Sequence, residues 1–274
     1  MKRAGHKISH SPNIIAIDCG NSRVKLSDGL VTLSVDTARI NTSGINTSVQ
    51  SFFDHRINHT VAWSSVSPSA WKRVRSIAGK RRMIDVMKFL HTHSPLKAVL
   101  SEGTGHDRIL GCVGALFLLT KHRACITIDC GTATTVNLVN ARAEFVGGMI
   151  LPGLTLMSRS LHEHTAQLPS VGFDQPAERA DLKAGLRTAD AMRSGALHAT
   201  VGGIGSAVKE ARKMLRNPDA PIFLTGGNAE LILPLLKSEL KPTMVPDLVL
   251  KGISGIAERV LNEEVHKGTP RQKE

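Results

Sequence analysis

An apolar strand that ends in Asp-Cys-Gly and turns at once into another strand is written twice in this chain. The first copy is IIAIDCGNSR, from Ile14, and the second is CITIDCGTAT, from Cys125. Each run is short and continuously apolar, and each is closed by a glycine, so each predicts a buried strand entering a tight turn. SRVKLSDG and LVTLSVD extend the first copy into a β-meander, and TATTVNLVN and EFVGGMILPG extend the second. Helical segments follow: DRILGCVGALFLLTK from Asp107, and a long one from Ala189 to Leu215. Pro68 opens another helix after the strand VAWSSVSPS, and the strand APIFLTGG leads into a helix from Asn228.

The chain therefore reads as an α/β protein made of two copies of one meander-plus-helices unit, and a cleft between two such domains is a natural ligand site. The expected organisation is a loose tail over residues 1–12, a first domain over 13–120, a second over 121–262 and a polar tail over 263–274. A length of 274 residues is ample for two domains. With no tyrosine and only 3% aromatic residues, the cores must be built from Val, Ile, Leu, Ala and Met. The same scarcity disfavours nucleic-acid binding by stacked aromatics. A net charge of +12 attracts anions, nucleotides among them. The basic cluster KRVRSIAGKRR, from Lys72 to Arg82, has no interleaved aromatics and reads as a solvated face. Cys19, Cys112, Cys125 and Cys130 form no C-x-x-C pair and read as buried thiols of a reducing compartment. No apolar run reaches signal-peptide or transmembrane length, so the expectation is a cytoplasmic protein without a membrane partner.

Three places can carry chemistry. In Asp18-Cys19-Gly20-Asn21-Ser22 a carboxylate stands at a strand end, and the turn after it can aim N–H groups at a phosphate. Arg23 or Lys25 on the outgoing strand adds positive charge. The second copy, from Asp129 through Gly131, Thr132 and Thr135, offers the same turn with hydroxyls. One such hairpin alone reads as structure; two, each opening its domain, point to nucleotide phosphates and their cation. Thr225-Gly226-Gly227 is either a turn that admits a base or ribose, or a close-packed strand–helix junction. In EGTGHDRILG, Asp107 at a helix start is either a cap or a general base, and Arg108 beside it suits an acidic substrate. His106 next to it reads as incidental. His162 and His164, two residues apart, lie on different sides of a helix and make a poor chelate.

DCGNSRVK, GHDR, DCGTATT, GGMILPGLTL with LHEHTAQLP, RTADAMRSG and FLTGGNA occur in an order and spacing that resemble type III pantothenate kinase, from about Asn13 to Arg259. That family belongs with the sugar kinases, actin and the heat-shock chaperone ATPases, which have two ribonuclease-H-like domains around a nucleotide cleft. The resemblance implies phosphorylation of pantothenate by ATP with Mg2+, the first step of coenzyme A synthesis, in a homodimer. It further implies that Asp18, Cys19, Gly20, Asn21, Ser22, Arg23, Val24 and Lys25 line the ATP phosphates, with Asp18 near the magnesium. By the same resemblance Asp107 is the base, Gly105, His106, Asp107 and Arg108 contact pantothenate, and Thr188 also touches substrate. Asp129 would hold the K+ or NH4+ that the family requires, and Thr132 would contact ATP. The family often carries a Tyr a few residues before its G-x-D-R stretch, where this chain reads LKAVLSEGTG. It also commonly has Asn where Arg187 stands, and Thr where Ser22 stands. Two other readings stay open: a transcription-accessory protein on the same scaffold, and a kinase of another small hydroxy acid or sugar.

Overall fold

A computed structural model of the chain describes residues 13–40, 43–99, 103–120 and 124–268, and the account below concerns these. The expected tail over residues 1–12 lies outside them, as do residues 269–274. Contacts divide the chain into two units: residues up to 121 together with those from Leu248 onward, and His122–Asp247.

The first unit runs through β1 (Ile14–Cys19), β2 (Arg23–Ser27), β3 (Thr32–Asp36), α1 (Ser43–Asp54), β4 (Thr60–Ser65), α2 (Pro68–Ala78), β5 (Met83–Asp85), α3 (Leu90–His93), β6 (Ala98–Val99) and α4 (His106–Leu118). Five of these strands pair in the order β3-β2-β1-β4-β5. The first three form an antiparallel meander, whereas β4 and β5 add in parallel. Parallel pairing needs a crossover, which α1 and α2 supply. Ile15, Ile17 and Cys19 of β1 point to one face, where they join Val24, Leu26, Val61, Phe53, Trp71 and Val74 in an apolar core. Burying one such Ile, Leu or Phe contributes roughly 1.5–3 kcal/mol. Both tryptophans stack in this layer, Trp63 on Trp71, with ring centroids 4.0 Å apart.

The second unit repeats the plan with β7 (Cys125–Cys130), β8 (Ala133–Val139), β9 (Glu144–Pro152), α5 (Leu154–Glu163), α6 (Thr188–Met214), β10 (Ile222–Thr225), α7 (Ala229–Leu236) and β11 (Thr243–Met244). Its strands run β9-β8-β7-β10-β11, again an antiparallel meander of three with two parallel additions. Each unit thus has a mixed five-stranded sheet of the same topology, the ribonuclease-H-like arrangement. This is the structural content of the repeated Asp-Cys-Gly run. Ile126, Ile128 and Cys130 enter the second core with Leu154, Leu197, Ile204, Leu224 and Ile232.

The last helix corrects the expected boundaries. The sequence puts residues 248–262 in the second domain and 263–274 in a polar tail, but α8 (Leu248–Gly268) is one continuous helix and packs against α4 and β1 of the first unit. The surface it covers is not written in its own sequence. Glycines decide that. A methyl placed on Gly114 of α4 would lie 2.1 Å from the Leu248 carbonyl oxygen, and one on Gly252 would lie 2.2 Å from the Leu110 carbonyl oxygen. The helix continues past 262 because its charged residues are engaged. Glu263 pairs with Lys267 one turn on and with His93, and Glu264 pairs with Arg82. The Lys267 and His93 bonds hold the Glu263 carboxyl below the usual range.

Backbone-to-backbone contact at this crossing leaves no room for a side chain. Gly252→Ala is expected to lower unfolding stability by at least about 1–3 kcal/mol, read as a drop in the urea midpoint. An unchanged midpoint would refute the close packing of α4 on α8.

Candidate functional site

The first hairpin is set by alternation along β1. With Ile17 and Cys19 turned into the core, Asp18 projects from the opposite face, half-buried. Lys25 of β2 is its register partner on one side and Ser64 of β4 on the other, so the three form a row across the sheet. The turn closes with the Gly20 N–H donating to the Arg23 carbonyl at 2.9 Å. Thr37 then fastens it. Its Oγ1 donates to the Gly20 carbonyl at 3.0 Å, and its N–H donates to the Ser22 carbonyl at 3.0 Å. With those carbonyls engaged, the loop can offer an anion N–H groups and the exposed side chains of Asn21, Ser22 and Arg23. Cys19 and Val24 are fully buried, so a ligand can meet only their backbone. Burial, reinforced by the neighbouring Asp18 charge, pushes the Cys19 thiol up to about 12, and it is not a nucleophile at neutral pH.

Asp107 enters from α4. Gly105 is the N-cap and has no side chain to cap with, while Asp107 occupies the first turn, exposed, where the helix dipole favours a carboxylate. The carboxylate folds back over Gly105: a methyl there would lie 2.6 Å from Asp107 Oδ1. Beyond the first turn, Ile109 to Leu116 are buried and fix the helix. His106 Nδ1 lies 3.3 Å from Ser64 Oγ, a hydrogen bond whose donor depends on the imidazole tautomer. Ser64 is the strand neighbour of Asp18. The first unit therefore brings the hairpin carboxylate, Lys25 and the start of α4 into one neighbourhood, with Gly105 to Arg108 contiguous at its edge. His106, incidental on its residues alone and a pantothenate contact by the resemblance, is the link.

The second hairpin is one residue tighter. Asp129 pairs in register with Thr135 of β8 and Thr225 of β10, and the Gly131 N–H donates to the Ala133 carbonyl at 3.0 Å. No lysine stands opposite this carboxylate. Its turn is fastened as the first one is, by taking up its carbonyls. The Asn228 N–H donates to the Cys130 carbonyl at 2.8 Å, Asn228 Nδ2 donates to the Gly131 carbonyl at 3.3 Å, and the Gly153 N–H donates to the Thr132 carbonyl at 3.0 Å. Gly226, at φ 101°, presses on the same turn: a methyl there would lie 2.4 Å from Asp129 Oδ1 and 2.5 Å from the Cys130 nitrogen. Thr225-Gly226-Gly227 is thus at least a close-packed junction. Burial and the Asp129 charge push the Cys130 thiol up to about 12 as well. Thr132 is exposed at the turn.

Thr188 opens α6, exposed, at the rim of an apolar groove of about 780 Å3 lined by Pro152, Leu156, Leu161, Leu168 and Met192. Pro152 precedes the Gly153 that clamps Thr132, so Thr132 and Thr188 flank the same β9–α5 junction. Asp129, Thr132 and Thr188 belong to the second unit, and Asp18 to Lys25 and Gly105 to Arg108 to the first. Sequence reasoning passed over Ser64, Thr37, Gly153 and Asn228. Their signal was faint: a strand-end serine before Pro68, and glycine or asparagine just after a strand.

Two other sequence features resolve. The cluster from Lys72 to Arg82 is partly spent inside the fold, with Arg73 on Asn46, Arg81 on the Phe53 and Ala78 carbonyls, and Arg82 on Glu264. Among the described residues no helix is long and apolar enough to cross a membrane, and no three His, Cys, Asp or Glu side chains cluster to hold a metal ion by themselves.

A family model described as type III pantothenate kinase matches residues 14–210. A protein of Chlorobium luteolum named type III pantothenate kinase is 30% identical over 267 residues, covering 92% of this chain and 95% of that protein. Among solved structures, a protein described as a Baf family transcriptional activator from Campylobacter jejuni aligns with TM-score 0.56 and 18% identity, over 90% of this chain and 99% of that one. The activator of 2-hydroxyisocaproyl-CoA dehydratase from Clostridium difficile, solved with bound ADPNP, aligns with TM-score 0.51 and 12% identity, over 95% and 99%. At these identities the two structures speak for the fold alone.

Gly226→Ala would drive a methyl into the Asp129 carboxylate and the backbone beside it. The variant is expected to lose stability by about 1–3 kcal/mol and to lose binding of any ligand held by the second turn. Unaltered melting and ligand affinity would contradict the clamp.

Proposed function

The chain belongs to the type III pantothenate kinase family, and from that premise we propose that it transfers the γ-phosphoryl group of ATP to the primary hydroxyl of pantothenate, opening coenzyme A synthesis. The observation that carries this reading is the placement of Asp107 at the start of α4, with His106 beside it tied to Ser64, the strand neighbour of Asp18. A base and a phosphate-facing hairpin in one neighbourhood are what phosphoryl transfer asks of a protein, since the catalysis is mostly positioning and charge neutralisation. In the step itself, Asp107 accepts the proton of the substrate hydroxyl as its oxygen attacks the γ-phosphorus. The bond from phosphorus to the bridging oxygen breaks, and ADP leaves with the electron pair.

Lys25 and the turn from Asn21 to Arg23 receive the ATP phosphates, with Asp18 beside them on the side of the Mg2+, and Thr132 on the second turn also contacts ATP. Mg2+, when bound with ATP, neutralises charge on the phosphate oxygens. The residues fit such an ion: with no three-ligand cluster among the described residues, it would be held by Asp18 together with phosphate oxygens and water, the usual habit of Mg2+. Asp129, braced by Gly226, is our choice for the monovalent cation, K+ or NH4+. Arg108 suits the pantothenate carboxylate, and Thr188 would add a hydroxyl contact. The four free cysteines, all buried, suit a reducing cytoplasm. Homodimerisation is supported by the groove beside Thr188, whose Leu156 and Leu161 are 44% and 41% exposed.

Asp107→Asn should cut kcat by roughly 10²–10⁴-fold while nucleotide affinity is kept. Assayed with ATP and a panel of small hydroxy acids and sugars, the unaltered protein should prefer pantothenate. Full activity in the variant would remove Asp107 as the base, and a different preferred acceptor would replace the substrate. Sedimentation tests the groove separately. The protein should run as a dimer and Leu161→Asp as a monomer, and a monomeric unaltered protein would dispose of the dimer.

A further inference from the structure

We propose that Ser64 is a positioning residue for the acceptor end of this site, acting through His106 to set the first turn of α4 and with it the Asp107 carboxylate. The proposal rests on the kinase reading above. Ser64 is 1% exposed, at the penultimate position of β4, in register with Asp18. A hydroxyl buried that deeply is kept where it has a hydrogen-bond partner. The partner given by the geometry is His106 Nδ1, at 3.3 Å, on the first residue of α4. The N-cap of that helix is Gly105, which contributes no side-chain bond to orient the first turn. The tight hold of α8 on α4 comes further along, at Gly114 and at the Leu110 carbonyl. Between that crossing and the N-terminus of the helix, the serine–histidine bond ties the first turn directly to β4, the strand paired with the one that carries Asp18.

The consequence is a coupling of two tasks. β1 places Asp18 for phosphate, and β4, paired beside it, places the hydroxyl that steers the residue next to the base. Loss of the bond leaves the hairpin intact, since Gly20, Arg23 and Thr37 hold it without Ser64. It loosens the direction of Asp107. A small misplacement of a catalytic group is costly in rate, so the effect should fall on the acceptor side and spare the nucleotide side.

The experiment is a double-mutant cycle on the full-length protein with Ser64→Ala, His106→Ala and the pair, following kcat and the KM values for pantothenate and ATP separately. Each single variant should lose about tenfold in kcat/KM for pantothenate with the KM for ATP unchanged, and the double variant should lose no more than the worse single. His106→Asn, which keeps a polar atom near the position of Nδ1, should lose less than His106→Ala. In parallel, the ring nitrogen NMR signals of His106 should move in Ser64→Ala at an unchanged melting temperature. Additive losses, equal damage to both KM values, or an unmoved imidazole in an active Ser64→Ala variant would each overturn the inference while leaving the kinase reading in place. Absence of pantothenate phosphorylation by the unaltered protein would overturn the kinase reading and this inference with it.

Discussion

The contact on which the first unit depends is the meeting of two helix backbones at Gly114 and Gly252. Helices separated by ordinary side chains pack 8–10 Å apart and have latitude in angle and register. Here the carbonyls of Leu110 and Leu248 stand where a methyl on the facing glycine would go, so neither helix can rotate or slide without a clash. That contact holds α4 against α8, and α8 against β1. The position of Asp107 is inherited from a crossing two turns away, and the charged end of α8 anchors it through His93 and Arg82.

Both hairpins meet one demand with different residues. A turn that is to face an anion must turn its carbonyls elsewhere, because a buried or misdirected C=O would repel the charge and lack a partner of its own. In the first unit Thr37 takes up two of them; in the second, Asn228 and Gly153 take up three. The carboxylates differ in the same spirit. Asp18 has Lys25 across the ladder, whereas Asp129 has Thr135 and Thr225, a neutral oxygen-rich setting. One is arranged beside a cation of the protein and the other beside hydroxyls.

Much of the fold was legible because the Asp-Cys-Gly run is local: strand, turn and strand are adjacent in sequence, so alternation and glycine suffice to read them. The helix at Asp107, the Pro68 helix start and the long α6 were legible for the same reason. What escaped was contact between distant segments. Nothing in VAWSSVSPS says that Ser64, the first of its four serines, is buried and meets His106, and nothing in the helix from Leu248 says which sheet it will cover. The glycines at 114 and 252 look alike in sequence to those at 195 and 202, which have open space beside them. The role of Asn228 was masked by its ordinary reading as a helix N-terminus. The family resemblance puts Cys19 and Val24 among the residues lining the phosphates, although alternation sends their side chains to the core.

The order of the units along the chain has a consequence for biogenesis. The second unit is continuous, from His122 to Asp247, whereas the first is interrupted and completed only by α8. During vectorial synthesis the ribosome finishes the second unit while the earlier one still lacks its closing helix, leaving apolar surface on α4 and β1 uncovered until α8 emerges. The later-made unit is therefore the one able to mature first, and the earlier-made unit waits on α8.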